Sequence, residues 1–170
     1  MDDEQLKKCT IETSILSLYG INTYAKVVNI IDGDTVVLII PFLDKYFKFN
    51  CRLNNIDTCE IHSSNDKIKQ LGIKAKNRLI ELISKKNLTL DDDFSKKDIQ
   101  SIFSNECFIL YVKCYDFDKY GRLLLDLYLD KDEKSISDIL LEEKLAYTYN
   151  GKTKLNEDEQ LNLLKNQIKK

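Results

Sequence analysis

Two apolar runs set back to back around an Asp-Gly pair constrain this chain more than any other feature. Residues 24–31 and 35–40 are rich in β-branched side chains and flank Asp32-Gly33, a short-range signal for a tight hairpin. Pro41, which has no N–H for a ladder, predicts the end of the second strand. Phe47–Leu53 then alternates. Phe47, Phe49, Cys51 and Leu53 fall on one face and Lys48, Asn50 and Arg52 on the other, which places Arg52 on a polar face. At Asn54-Asn55 the alternation loses phase, and a bulge there would re-aim the residues that follow, Asp57 and Glu60 among them.

The remaining segments read as helices and a second strand pair. Residues 1–23 carry Leu6, Ile11, Ile15, Leu16, Leu18 and Tyr19, partly at helical spacing, and predict an N-terminal extension with a short helix packed on the strands. After a polar loop over 60–71, Gly72 marks a predicted helix start, with Ala75, Leu79, Leu82 and Ile83 on one face. Cys107–Tyr115 and Leu123–Leu129 form the next strand pair, joined through D-F-D-K-Y-G-R, and Leu123, Leu125, Leu127 and Leu129 share a face. Ser135 caps a helix reaching Lys144, with Asp138 three residues on, and residues 146–151 are extended. Asn156 caps a last helix, acidic at Glu157, Asp158 and Glu159 and basic at Lys169 and Lys170, as the macrodipole favours. The chain shows no repeat and no linker, so one domain is expected.

Charge and cysteine content exclude several classes. With 26 basic against 28 acidic residues and a net charge of −2, the chain is not a bulk-basic nucleic-acid coat, although a local basic groove is compatible with that balance. The acidic start M-D-D-E is followed by no secretory h-region, and no apolar run approaches the ~20 residues that span a bilayer. Five cysteines without a C-x-x-C spacing predict reduced thiols in an intracellular protein. The single histidine, His62, has no companion for a zinc site, and Asp91–Asp93 lacks the glycine and spacing of an EF-hand.

Read in order, D-G-D-T at 32–35, R-L at 52–53, D-T-C-E at 57–60, D-K-Y-G-R at 118–122 and A-Y-T-Y at 146–149 resemble the staphylococcal (micrococcal) nuclease family. The resemblance spans roughly residues 24–151. It implies an α+β fold with a mainly β core, a five-stranded OB-type Greek-key barrel carrying about three helices over residues 24–170. Residues 87–106 then read as an insertion, a solvated loop with a short helical turn.

The resemblance also implies chemistry. Asp34, Asp57 and the Thr58 carbonyl match the family's calcium ligands, a hard-oxygen set suited to Ca²⁺, and Asp32 matches a supporting carboxylate. Glu60 matches the group that positions or deprotonates the attacking water. Arg52 and Arg122 match the arginines that clamp the scissile phosphate. Lys119 and Tyr120 match contacts to a neighbouring phosphate, and Tyr147 and Tyr149 match tyrosines that pack on the nucleotide. The implied activity is calcium-dependent, sugar-nonspecific endonucleolytic hydrolysis of DNA or RNA to 3′-phosphorylated products, by a monomer. The alternative is a non-catalytic nucleic-acid or protein binding module on the same fold. One departure stands out: the family's D-T-P-E is D-T-C-E here, so Cys59 lacks the φ constraint that proline would impose on the turn carrying Glu60.

Overall fold

A computed structural model of the protein describes residues 3–92 and 94–164. Its centre is a closed barrel of five strands: β1 (Asn22–Asp32), β2 (Thr35–Phe42), β3 (Lys45–Leu53), β5 (Phe108–Phe117) and β6 (Leu123–Tyr128). β1 pairs antiparallel with both β2 and β5, β2 with β3, and β5 with β6. β3 lies parallel to β6 and closes the ring. This is the OB topology that the sequence resemblance implies. Val27, Ile30, Val36, Leu38, Cys51, Leu53, Val112, Leu123, Leu125 and Leu127 fill the interior.

A second, two-stranded sheet pairs β4 (Ile56–Asp57) with β7 (Tyr147–Thr148). Among the described residues there are five helices: α1 (Asp3–Leu6), α2 (Asp66–Ser84), α3 (Lys96–Asn105), α4 (Ile136–Glu142) and α5 (Glu157–Leu164). α4 starts at the predicted cap, with the Ser135 side chain accepting from the Asp138 N–H. The basic end expected of the last helix, Lys169 and Lys170, lies outside the described residues.

Several expectations are corrected. Pro41 does not end its strand: it pairs opposite Tyr46, and β2 runs on to Phe42. Only one N–H is lost there, at the outer end of a long hairpin. Gly72 does not open a helix either. α2 begins six residues earlier, where the Asn65 side chain accepts from the Lys67 N–H, and Gly72 lies inside it for a packing reason given below. Residues 87–106 hold more than a turn. Ser95 and Asp98 form a capping box, and α3 buries Ile99 and Phe103 against β1.

The Asp91 region is tied to α2. Lys74 pairs with Asp91 at 3.1 Å, and the buried Asn77 amide donates to the Leu90 carbonyl at 3.0 Å. The N-terminal helix is a single turn with no buried residue, and Ile11 and Ile15 are 97% and 92% exposed. Leu18 alone of the segment's named apolar residues enters the core. Cys51, Cys59 and Cys114 are buried free thiols, and Cys9 and Cys107 are exposed ones.

Candidate active site

One end of the barrel gathers the charged residues, and ladder register explains how. The β1–β2 turn ends in Asp34, whose backbone carbonyl accepts from the Leu53 N–H at 2.8 Å. Thr35 stands opposite Arg52 in the β2–β3 register, so Arg52 leaves β3 beside Asp34. The chain then turns through Asn55, whose φ is 60°, and returns as β4. There Asp57 is paired in register with Tyr147 of β7.

Arg52 is the hub of this end. It is only 6% exposed. One terminal nitrogen donates to Asp34; the other donates to Asp57 Oδ1 and, at 2.9 Å, to the Ile56 carbonyl. Asp34 also accepts from the Thr35 hydroxyl at 2.7 Å, and the second Asp57 oxygen accepts from the Tyr147 hydroxyl. The polar face expected for Arg52 is therefore real but roofed: β4, β7 and two buried carboxylates cover it. Tyr149 covers it too, with its ring 5.4 Å from the guanidinium carbon.

These surroundings split the acids. Burial pushes the Asp34 carboxyl up, and Arg52 and Thr35 only partly offset it. Burial would also raise Asp57, but the Tyr147 hydroxyl, Arg52 and Lys154 outweigh it and hold that group below its ordinary value. Asp32 is pushed up to about 6 by burial, against a hydrogen bond from the Gly33 N–H and with added repulsion from Asp34 and Glu60. The Cys59 thiol, buried beside these carboxylates, rises to about 12 and stays protonated at neutral pH.

Two glycines let these segments meet. A Cβ on Gly33 would lie 2.7 Å from the Ala75 Cβ and 3.0 Å from the Thr58 hydroxyl, so the hairpin tip, α2 and the Asp57–Glu60 turn share one tight contact. A Cβ on Gly72 would lie 2.5 Å from the Cys59 carbonyl oxygen, which presses α2 onto that same turn. Cys59 itself is buried with Ile68, Leu71 and Leu164. The constraint that proline would impose, and Cys59 does not, is thus supplied by packing. Glu60 emerges beyond this anchored turn, 61% exposed at its side chain, and meets the Lys154 ammonium at 3.0 Å.

The β5–β6 connection supplies the opposite wall. Asp118 accepts from the backbone N–H groups of Tyr120 and Arg122, both at 2.9 Å. Its other oxygen receives Arg122 Nε and a terminal nitrogen at 2.8 Å each. Gly121, at φ +78°, makes the turn possible. Burial would raise the Asp118 carboxyl, but these donors from Arg122 and Tyr120 hold it low, so it fixes the guanidinium as an anion. The Tyr120 ring is 73% exposed and lies 5.6 Å from the Arg122 guanidinium carbon and 5.1 Å from the Lys119 ammonium.

Arg52, Arg122, Lys119, Tyr120, Tyr149 and Lys154 line one cleft of about 540 Å³. Asp57 and Glu60 adjoin it through Lys154, and Asp34 through Arg52. Asp32, Thr58 and Tyr147 of the predicted set do not line it. For Tyr147 the reason is burial. It is 2% exposed, and its hydroxyl is committed to Asp57, so of the two tyrosines only Tyr149 offers a ring to a base. Thr58 is buried, with its side chain against Gly33.

Asp34 and Asp57 turn carboxylate oxygens toward one guanidinium fork, which in donor chemistry suits a hard divalent cation. Among the described residues no three His, Cys, Asp or Glu side chains form a metal cage. A cation here would take its remaining ligands from a backbone carbonyl such as that of Thr58 and from water. Sequence reasoning reads Gly33 as a hairpin signal and Gly72 as a helix start, not as contacts of the site, and does not single out Asp118 or Lys154. Asp118 was legible as the i−4 partner of Arg122, and Gly72 as a glycine inside a helical period; Lys154 had no local signal.

Residues 50–170 match the staphylococcal nuclease homologue family. The match begins at Asn50, so Asp32 and Asp34 lie outside it and join the site through the pairing of β2 with β3. A search of curated proteins finds no match. With more than half of its length matched and an OB barrel carrying the ordered motifs, the chain belongs to the staphylococcal nuclease homologue family.

Proposed function

We propose that the protein is a calcium-dependent, sugar-nonspecific endonuclease that hydrolyses phosphodiester bonds of DNA or RNA. The observation that carries this reading is the convergence, from four separate segments, of two arginines, an exposed carboxylate and a buried carboxylate pair at one open cleft. Arg122, braced by Asp118, presents its remaining N–H edge to a phosphate, and Arg52 adds a second fork once drawn from the carboxylates. Donors preorganised in this way are typically worth ~10²–10³ in rate each.

Glu60, solvent-accessible beside the cleft, accepts the proton of the attacking water. The new P–O bond forms in line as the bond to the 5′ oxygen breaks, leaving a 3′-phosphate and a 5′-hydroxyl. Lys119, Tyr120 and Tyr149 hold the adjoining nucleotide by charge and by stacking that tolerates any base. Asp34, Asp57 and the Thr58 carbonyl would hold Ca²⁺, which would supply positive charge beside the reacting phosphate.

One observation favours a second reading, a nucleic-acid binding module. Each carboxylate oxygen of Asp34 and Asp57 already accepts from a protein donor, a self-satisfied arrangement that needs no metal. Digestion of plasmid DNA and of structured RNA in Ca²⁺ or in excess chelator separates the two. The nuclease reading expects cleavage in Ca²⁺ and none in chelator. Tight binding without cleavage in either condition would establish the module instead.

A further inference from the structure

Lys154 lies in the connection between β7 and α5, and its ammonium stands between two carboxylates, 3.1 Å from Asp57 Oδ1 and 3.0 Å from Glu60 Oε1. One of these is the proposed metal ligand and the other the proposed base. The ammonium bonds to both, sharing with Arg52 one oxygen of the proposed ligand Asp57. The backbone beside it is pinned: the Leu155 carbonyl accepts from the Gln160 side chain at 2.8 Å. The side chain, by contrast, is 47% exposed and rides on a flexible four-carbon stem. From the same backbone position Lys154 also lines the cleft shared with Lys119 and Arg122. The side chain therefore holds the carboxylates at the margin of the same cleft that the phosphate-binding wall lines.

We infer that Lys154 is an internal counter-cation that occupies the Asp57–Glu60 pair until a divalent ion displaces it, and so sets the metal affinity of the site. The inference rests on the divalent-cation reading above and adds a competitor to it. A tethered ammonium competes at a high effective concentration, but it carries one charge and is strongly hydrated. An ion of twice the charge, completed by carbonyl and water ligands, can displace it. Incoming phosphate pulls in the same direction, because a displaced ammonium gains a partner in the cleft. Metal and nucleic acid then favour the same Lys154 position and strengthen one another's binding, as linkage requires.

The test is Ca²⁺ binding to the full chain without nucleic acid, so that no turnover enters. It is read by titration calorimetry and by the Ca²⁺-dependent rise in melting temperature. Lys154→Met, which keeps the stem and removes the charge, should bind Ca²⁺ about tenfold more tightly, within the ~5–150-fold range of ordinary site coupling. Lys154→Arg, which keeps the charge, should show no such gain. Lys154→Gln repeats the charge removal with a polar side chain, in case the methionine stem perturbs the loop.

If the parent binds Ca²⁺ and neither neutral variant binds it more tightly, Lys154 only clips the loop and the gate is refuted, while the metal reading stands. Absence of Ca²⁺ binding in the parent and all variants refutes the gate together with the divalent-cation reading.

Discussion

Arg52 shows how far a residue's surroundings can depart from its place in a pattern. Alternation along β3 correctly set it opposite Cys51 and Leu53, yet two further strands and Tyr149 roof that face. Pairing between residues about 95 positions apart carries no local trace. Arg122 was easier to read, because a tight turn and its own i−4 acid fix it within five residues. Arg122→Lys keeps the charge but cannot hold Asp118 with two nitrogens and still fork onto phosphate. It should lower kcat by ~10² or more, and single-turnover cleavage within a few-fold of the parent would show that Arg122 is no clamp. Asp32 offers a pH test. Burial holds its folded value at about 6 against 3.8, so between those values the folded chain binds more protons than the unfolded one. The stability this group contributes is present below the lower value and is lost as pH rises through about 6. Asp32→Asn removes that loss. In chelator at pH 7 the variant should be about 1–3 kcal/mol more stable by denaturant titration. It should also lack the fall in stability between pH 4 and 6, and an unchanged slope would place that titration on another group.

At the scale of elements, the strands were legible and the helix boundaries less so. Period-two alternation with leucine at every other position of β6 survives any tertiary context, because both barrel neighbours need the same inward face. α2 starts earlier than its sequence suggests because Gly72 reads as punctuation when the neighbour it accommodates is unknown. α3 reads as no more than a turn because its apolar signal is short, although S-K-K-D spells a capping box. Gly72→Ala weighs the two readings of that glycine against each other. Helix propensity alone favours alanine by ~1 kcal/mol. The added Cβ would stand 2.5 Å from a backbone carbonyl, and overpacking of this kind typically costs ~1–3 kcal/mol. Because the obstacle is backbone, the clash should win: the variant should be less stable in urea and should cleave more slowly, since the Cys59 shift carries Glu60 with it. A more stable Gly72→Ala would mean that the turn gives way freely and that packing does not hold Glu60.

Over the whole molecule, the barrel brings together an acidic hairpin, a buried arginine, a packed turn and a basic loop that are spread across residues 32–154. The family's ordered motifs made that assembly readable, while the internal pairing of its charges was not. This pairing decides which substitution can separate an enzyme from a binder. Asp57→Asn is the obvious choice from sequence, but Asp57 is 1% exposed and accepts from Arg52, Tyr147 and Lys154. Removing its charge takes one of two carboxylates from the buried Arg52, and breaking a buried pair typically costs ~3–5 kcal/mol, so lost activity would be confounded with lost structure. Glu60→Gln avoids this. The side chain is 61% exposed and pairs with Lys154, which retains Asp57, so the fold and the arginines should be untouched. If Glu60 is the base, cleavage of a labelled oligonucleotide in Ca²⁺ should fall by ~10²–10⁴. Its affinity, measured by anisotropy on the same samples, should stay within a few-fold of the parent's. Affinity and cleavage falling together would make Glu60 a binding group and leave the base elsewhere. A parent that binds as tightly as the variant and cuts no substrate at all would mean that the cleft recognises nucleic acid without hydrolysing it.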